Sequence, residues 1–378
     1  MGCTMQLWAQ TPEYAAVANQ VQQANISQTL SSFEGLGVKR RGTTALSNAL
    51  TWLKGQYTSM GYTASQMQEH SYSYSGFTCK NLIVTKTGTL YPNTYVIICG
   101  HYDSITGTGT NDNGSGTAIL LEVARLMRTI PTDYSVKFIH FSGEEDGLMG
   151  SQAYVSQVVN GTSPKMNIRL LLNIDEVGGV AGMTNDTVTC ERDTSNPTTN
   201  NAASSTFTNQ LMQYIQWYSP LQTQLSYAYS SDYMSFQSNN EVITGLFETN
   251  ETPYKHTAND LLVNMDPVYV YQIAQGTTGA MLHFAVASIS ALQSPTFDVK
   301  PTVSALWHDQ QLALYWNALA SEPIHISVYN STGQCVFQQQ TTVQGEYGLL
   351  DMPMLASGLY VVHIYGSNTS LQVKTLKP

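Results

Sequence analysis

The chain has 378 residues, with 16 Lys and Arg against 26 Asp and Glu for a formal net charge of −10. That length can bury a sizeable core and holds about two domains at roughly 100–200 residues each, while the acidic balance and the lack of any basic block argue against nucleic acid as a partner. Only 11% of residues are charged and 23 are Tyr, a balance that leans toward an exported protein, and no segment approaches the roughly 18 uninterrupted apolar residues of a membrane span.

Residues 1–10, ending in Leu7-Trp8-Ala9-Gln10, resemble the cleavage end of a secretory signal, the alternative being an ordinary N-terminus. From 12 to 60 the pattern is helical: Leu46, Leu50, Leu53 and Tyr57 recur at three- and four-residue steps until Gly61 stops the run. Strand-like runs then alternate with helix-like stretches. The runs at 95–99, 136–141, 170–174 and 242–247 are short and rich in leucine or β-branched residues, whereas 116–130, 151–159, 205–218 and 266–292 read as helices. This alternation predicts an α/β fold, a mainly parallel central sheet with helices on both faces. Reactive groups in such a fold gather at the C-terminal ends of the strands.

A further run at 81–84 pairs in this reading with 95–98, as a hairpin around Tyr91-Pro92-Asn93. Such a hairpin makes a Cys79–Cys99 bridge conceivable, with buried free thiols as the other reading. The five cysteines, Cys3, Cys79, Cys99, Cys190 and Cys335, are too scattered for a disulfide scaffold and include no C-x-x-C spacing. Beyond 294 the helical period disappears. The runs 312–316, 325–329, 360–365 and 371–375, separated by Asn-, Ser- and Gly-rich turns, read as a separate small β-sandwich. The predicted organisation is thus a signal remnant at 1–10, an α/β domain at 11–293, a linker at 294–302 and a β-sandwich at 303–378.

Metal-binding residue types follow the predicted strands in order. After 95–99 come Gly100-His101-Tyr102-Asp103 and then Asn111-Asp112-Asn113-Gly114-Ser115-Gly116; after 136–141 comes Ser142-Gly143-Glu144-Glu145; after 170–174 comes Asp175; after 242–247 comes Tyr254-Lys255-His256-Thr257. Two histidines and at least four carboxylates therefore converge on one sheet edge. This is an inventory for two divalent ions, because one Asp can bridge ions about 3.5–4 Å apart and imidazole with carboxylate suits zinc. One of the adjacent glutamates can bind metal while its neighbour takes a proton from water. His70, His140, His283, His308, His325 and His363 lack such company and read as structural or surface residues.

The runs Gly-His-Tyr-Asp-Ser at 100–104, Asn-Asp-Asn-Gly-Ser-Gly at 111–116, Phe-Ser-Gly-Glu-Glu-Asp-Gly-Leu-Met-Gly-Ser at 141–151, Asn-Ile-Asp-Glu-Val-Gly at 173–178 and His-Thr-Ala-Asn-Asp at 256–260 resemble the M28 family of zinc aminopeptidases over residues 30–292. The resemblance implies two zinc ions. Asp112 would bridge them, His101 and Asp175 would complete one site, Glu145 and His256 the other, and Glu144 would be the general base. It also implies that Asp103 sits behind His101 to accept its second ring proton, and that the Asp112–Asn113 peptide is cis. The segment 226–233 resembles the family region that supplies a tyrosine to the oxyanion; Tyr229 fills that role in this reading, with Tyr227 as the alternative.

The runs 328–334, 356–362 and 371–377 resemble the C-terminal sorting domain of the type IX secretion system of Bacteroidetes-type bacteria, an accessory binding module being the alternative. The implied protein is a secreted or cell-surface aminopeptidase acting on peptides with a free N-terminus, and partnered by type IX secretion machinery. Rival readings are a one-zinc glutaminyl cyclase, a dipeptidase or carboxypeptidase relative on the same core, and an adhesive protein with an inert peptidase fold.

Overall fold

The computed structural model describes residues 11–289, 303–308, 310–316, 323–342, 347–366 and 370–377, and the chain divides into two units, Met1–Ser294 and Pro295–Pro378. The expected signal remnant and linker lie outside the described residues. In chain order the first unit runs α1 (Pro12–Ala18), α2 (Gln23–Gly35), α3 (Thr44–Ser59), β1 (Met67–Tyr74), β2 (Phe77–Lys86), β3 (Tyr91–His101), α4 (Gly114–Met127), β4 (Tyr134–Phe141) and α5 (Met149–Tyr154). A π-helical turn, Val155–Val159, continues α5 and is followed by β5 (Asn167–Ile174), β6 (Thr187–Arg192), α6 (Asn201–Tyr218), β7 (Gln222–Tyr227), α7 (Tyr233–Ser238), β8 (Ile243–Glu248) and α8 (Pro267–Phe284). Helix starts follow local chemistry: the Thr43 side chain accepts from the Leu46 amide to cap α3, and Asp266 caps α8 with Pro267 in its first turn.

The eight strands form one sheet in the order β1-β2-β4-β3-β5-β8-β6-β7. The middle four, β4-β3-β5-β8, are parallel to one another. β2 lies antiparallel to β4, and β6 antiparallel to β8, so the parallel centre carries antiparallel flanks. Side chains alternate between faces along each strand. On β3, Val96 and Ile98 enter one core with Leu50, Leu120 and Ile273 from the α2–α4 and α8 side; Ile97 and Cys99 enter a second with Tyr154 and Phe236 from α5 and α7. Helices therefore cover both faces. Because the four central strands are parallel, their C-terminal ends, at His101, Phe141, Ile174 and Glu248, meet at one edge.

The predicted hairpin between 81–84 and 95–98 does not form. β4 lies between β2 and β3, and β3 pairs on its other side with β5. The Tyr91-Pro92-Asn93 signal opens β3 itself, at a strand start where a proline costs no ladder bond. Cys79 and Cys99 consequently sit on non-adjacent strands as buried free thiols. The helix expected over 266–292 stops at Phe284, because Val286 adopts φ 52° and its carbonyl accepts the Asp133 amide at 3.0 Å. Strands β6 and β7, which have no long apolar run, escaped the sequence pattern.

The second unit contains β9 (Val303–His308), β10 (Gln311–Trp316), β11 (Pro323–Tyr329), β12 (Cys335–Thr342), β13 (Tyr347–Asp351), β14 (Gly358–Tyr365) and β15 (Ser370–Lys377). A three-stranded sheet, β13-β10-β9, and a four-stranded sheet, β12-β11-β14-β15, share one core. Alternation on β11 sends Ile324, Ile326 and Val328 inward, where they meet Leu312, Leu314, Val362 and Ile364.

Cys79, Cys99 and Cys190 are buried and Cys335 is exposed. Mass mapping after brief thiol labelling of the native protein should find Cys335 modified and the three buried residues modified only on denaturation. Rapid native labelling of Cys99 would contradict the packing of β3.

Candidate metal centre

The site begins where β3 ends. His101 is 1% exposed, and its Nδ1 faces the main-chain carbonyl of Asp103 at 3.2 Å and that residue's Oδ1 at 3.6 Å. A carbonyl only accepts, so Nδ1 carries a proton, and Nε2 is the nitrogen turned toward the other clustered groups. Asp103 does sit behind His101, but the closer acceptor is its main chain; its Oδ1 accepts the Glu144 amide at 3.3 Å. His101 Nε2 lies 3.0 Å from Asp112 Oδ1 and 3.2 Å from Asp175 Oδ1.

Asp112 is placed by the start of α4. The Asp112–Asn113 peptide is cis. Asn113 accepts the Gly116 amide at 2.9 Å as the helix cap, and its Nδ2 donates to the Ile174 carbonyl at 2.8 Å, tying α4 to the end of β5. Glycine at 116 is required by this approach, since a Cβ there would lie 2.5 Å from Asn113 Oδ1 and 2.6 Å from the Ile174 oxygen. The other Asp112 oxygen, Oδ2, lies 3.1 Å from His256 Nε2, which is in turn 2.9 Å from Glu145 Oε2. Despite its burial, the two imidazoles hold Asp112 below the usual carboxylate range.

Two clusters of ligand-type atoms result, His101 with Asp112 and Asp175, and Asp112 with Glu145 and His256, each with its atoms within 4.8 Å of one another. They share Asp112 through its two different oxygens. All five residues predicted as metal ligands are brought together, and Glu144 comes with Glu145 from the turn after β4.

The charge balance also fits cations. Burial, with Asp175, Asp232 and Asp103 nearby, pushes Glu144 up to about 9; burial and Asp112 push Glu145 up to about 10; burial, Asp112 and Asp175 push Glu176 up to about 9. Burial alone would lower His101, and the surrounding aspartates instead hold it well above its ordinary value. So many buried carboxylates cannot ionise together without compensating positive charge.

Tyr227 and Tyr229 are 59% and 56% exposed, with ring centroids 6.5 Å apart. Partial burial raises the Tyr229 hydroxyl, Glu191 adds to the rise, and Lys255, Glu251 and Glu176 are also close enough to act on it. Two contributors escaped the sequence reading. Ser231 donates to Asp175 Oδ2 at 2.5 Å and accepts from Asn173 Nδ2 at 2.8 Å, fixing one ligand-type carboxylate. Glu176, at φ 47°, faces Lys255 Nζ at 3.5 Å. Both lie in runs singled out above, but their roles needed the fold. The other histidines within the first unit have structural partners: His70 meets Asn81 and Gln157, His140 meets Tyr57 and His283 meets Tyr218. A cavity of about 410 Å³ lined by Leu148, Gln152, Met234 and Ser238 holds none of the clustered groups.

Fold and donor set together define the class, an α/β protein with histidines and carboxylates gathered at the carboxyl edge of its parallel strands. Residues 81–280 match Peptidase family M28, more than half of the chain, and the chain belongs to that family. Residues 309–377 match the secretion system C-terminal sorting domain. Aminopeptidase YwaD of Bacillus subtilis (strain 168) is 34% identical over 123 residues, 31% of this chain and 27% of that relative. The matched stretch is well under half the length of each of the first curated relatives. Among solved structures, the LapA aminopeptidase of Legionella pneumophila superposes with a TM-score of 0.64 at 18% identity, covering 77% of this chain and 79% of that one. A glutaminyl cyclase from Macrostomum lignano superposes with a TM-score of 0.65 at 14% identity, covering 77% and 98%. These two likenesses establish the fold, and they do not separate peptidase from cyclase.

A carboxyl group whose pKa is raised on folding destabilises the fold once it is charged. Glu144, ordinarily at 4.5 and here at about 9, therefore binds its proton more tightly folded than unfolded. Zinc-free protein should lose stability as pH climbs from about 4.5 toward 9, and added zinc should flatten that slope. Melting curves across this range with and without chelator check it; a pH-independent chelated protein would contradict the electrostatic account.

Proposed function

We propose that this chain is a secreted dinuclear zinc aminopeptidase that hydrolyses the N-terminal bond of peptides. The observation that carries the reading is the split of one buried carboxylate, Asp112, between His101 on one side and His256 on the other. A bridging Asp with one His and one further carboxylate on each side is the donor chemistry of a two-zinc site. Zinc held there would supply Lewis acidity toward a water and the scissile carbonyl.

The chain's own residues divide the remaining work. Glu144 takes a proton from the attacking water and passes it to the leaving amine. Asp103 accepts the Glu144 amide through one carboxylate oxygen and thereby sets the turn that aims this glutamate. Ser231 holds Asp175, and the Asp103 carbonyl holds the His101 ring. Tyr229 donates its hydroxyl to the developing oxyanion, a role supported by the resemblance of the 226–233 run to the family region that supplies a tyrosine there.

The cyclase alternative uses one zinc, and the complete set of five ligand-type residues weighs against it. Activity on free aminoacyl chromogenic substrates, none on N-blocked ones, and loss with a strong chelator would separate the aminopeptidase from cyclase, carboxypeptidase and inert protein alike.

Glu144 and Glu145 should fail differently. Glu144→Gln keeps the metal ligands and should lower kcat about 10²- to 10⁴-fold with zinc content intact. Glu145→Gln removes a ligand and should lose close to one zinc per chain and melt earlier, because metal binding is coupled to folding. Zinc content and melting temperature decide it: a fully loaded Glu145→Gln beside a depleted Glu144→Gln would reverse the assignment.

The sorting-domain match at 309–377 supports export through type IX machinery, with the sandwich as the recognised element. Deleting residues 295–378 should abolish export from the native host while the purified remainder keeps its peptidase activity. An inactive but folded remainder would mean that the tail helps build the site.

A further inference from the structure

We propose that Asp260 is a positioning residue that fixes Asp112 from the loop carrying His256, and so sets the spacing between the two; the idea rests on the metal reading above. Asp260 is 2% exposed. Its Oδ1 accepts the Asn111 amide at 2.8 Å and its Oδ2 accepts the Asp112 amide at 3.1 Å. A carboxylate that grips two successive amides fixes the peptide plane between them and hence the direction in which the Asp112 side chain leaves the main chain. The Asp260 oxygens are aimed at main-chain amides, which distinguishes it from the acids that face the two imidazoles.

The grip extends along both loops. The Asp260 carbonyl accepts the Thr108 hydroxyl at 2.8 Å. Glu34 Oε2 accepts the Thr110 hydroxyl at 3.0 Å and the Leu262 amide at 2.5 Å, bracing the same pair of loops from α2. The backbones meet so closely that a Cβ on Gly107 would lie 2.0 Å from the Thr257 oxygen. His256 is one residue from that contact and four from Asp260. The spacing between Asp112 and His256, on which the Asp112–Glu145–His256 cluster depends, is thus set by main-chain contacts centred on Asp260.

The test is zinc affinity, measured by titrating metal-stripped protein against a chromogenic chelator. Asp260→Asn is nearly isosteric but presents one acceptor and one donor to two amides. It should bind zinc about 10- to 100-fold more weakly, the range for groups that orient a metal ligand, and lower kcat with little change in KM. Leu53→Ala, a core change in α3 remote in sequence from either loop, should lower the melting temperature and leave zinc affinity unchanged. Wild-type zinc affinity in Asp260→Asn overturns the proposal. Should that variant fail to fold, Gly107→Ala keeps the carboxylate and parts the loops; weakened zinc binding supports the clamp and unchanged binding overturns it. A wild-type chain that takes up no zinc would sink the metal reading alone, and the clamp then stands or falls on hydrogen exchange at Asn111 and Asp112, slow if Asp260 holds them and fast if it does not.

Discussion

The first unit is organised around one buried carboxylate shared by two imidazoles. Asp112 offers Oδ1 to His101 and Oδ2 to His256, residues 155 positions apart in the chain. To hold that geometry the sheet must bring the ends of β3, β4, β5 and β8 to one edge, and only parallel neighbours do so. The helix that follows Asp112 must also start against the end of β5, which is why Asn113 reaches the Ile174 carbonyl and why position 116 has no side chain. The two cores on either face of the sheet, with Leu120 above and Tyr154 below, keep that edge rigid.

Holding the carboxylates together has an electrostatic cost that the protein leaves partly uncompensated. Glu144, Glu145 and Glu176 all sit far above the usual carboxylate range because burial and mutual repulsion act in the same direction. Asp112 is pulled down, by the imidazoles. Such a site is poised for cations, whose positive charge would let these carboxylates ionise together.

Much of the site could be read from residue order alone. His101, Asp112, Glu145, Asp175 and His256 each follow a strand-like run, and a strand's end in an α/β sheet is where ligands gather, so their convergence followed from the chemistry of the runs. The partners of those residues could not be read. Ser231 reaches Asp175 only because α7 turns back across the end of β5, and Asp260 reaches Asp112 only because two loops press backbone to backbone at Gly107. Hydrogen bonds between segments far apart in sequence leave no local periodicity to detect.

The sequence by itself determined the strands with strong apolar runs, the helices with three- and four-residue periods and the all-β character of the tail, since these depend on which side chains must leave water. Tertiary structure decided strand order. The turn signal at Tyr91-Pro92-Asn93 suits a hairpin locally, yet β4 inserts between β2 and β3 because β3, apolar on both faces, gains more as a central strand with a neighbour on each side. That insertion also left Cys79 and Cys99 as separate thiols. β6 and β7, with mixed polar and apolar residues, became strands only because the edge of β8 offered β6 unpaired backbone groups and β6 in turn offered its own to β7.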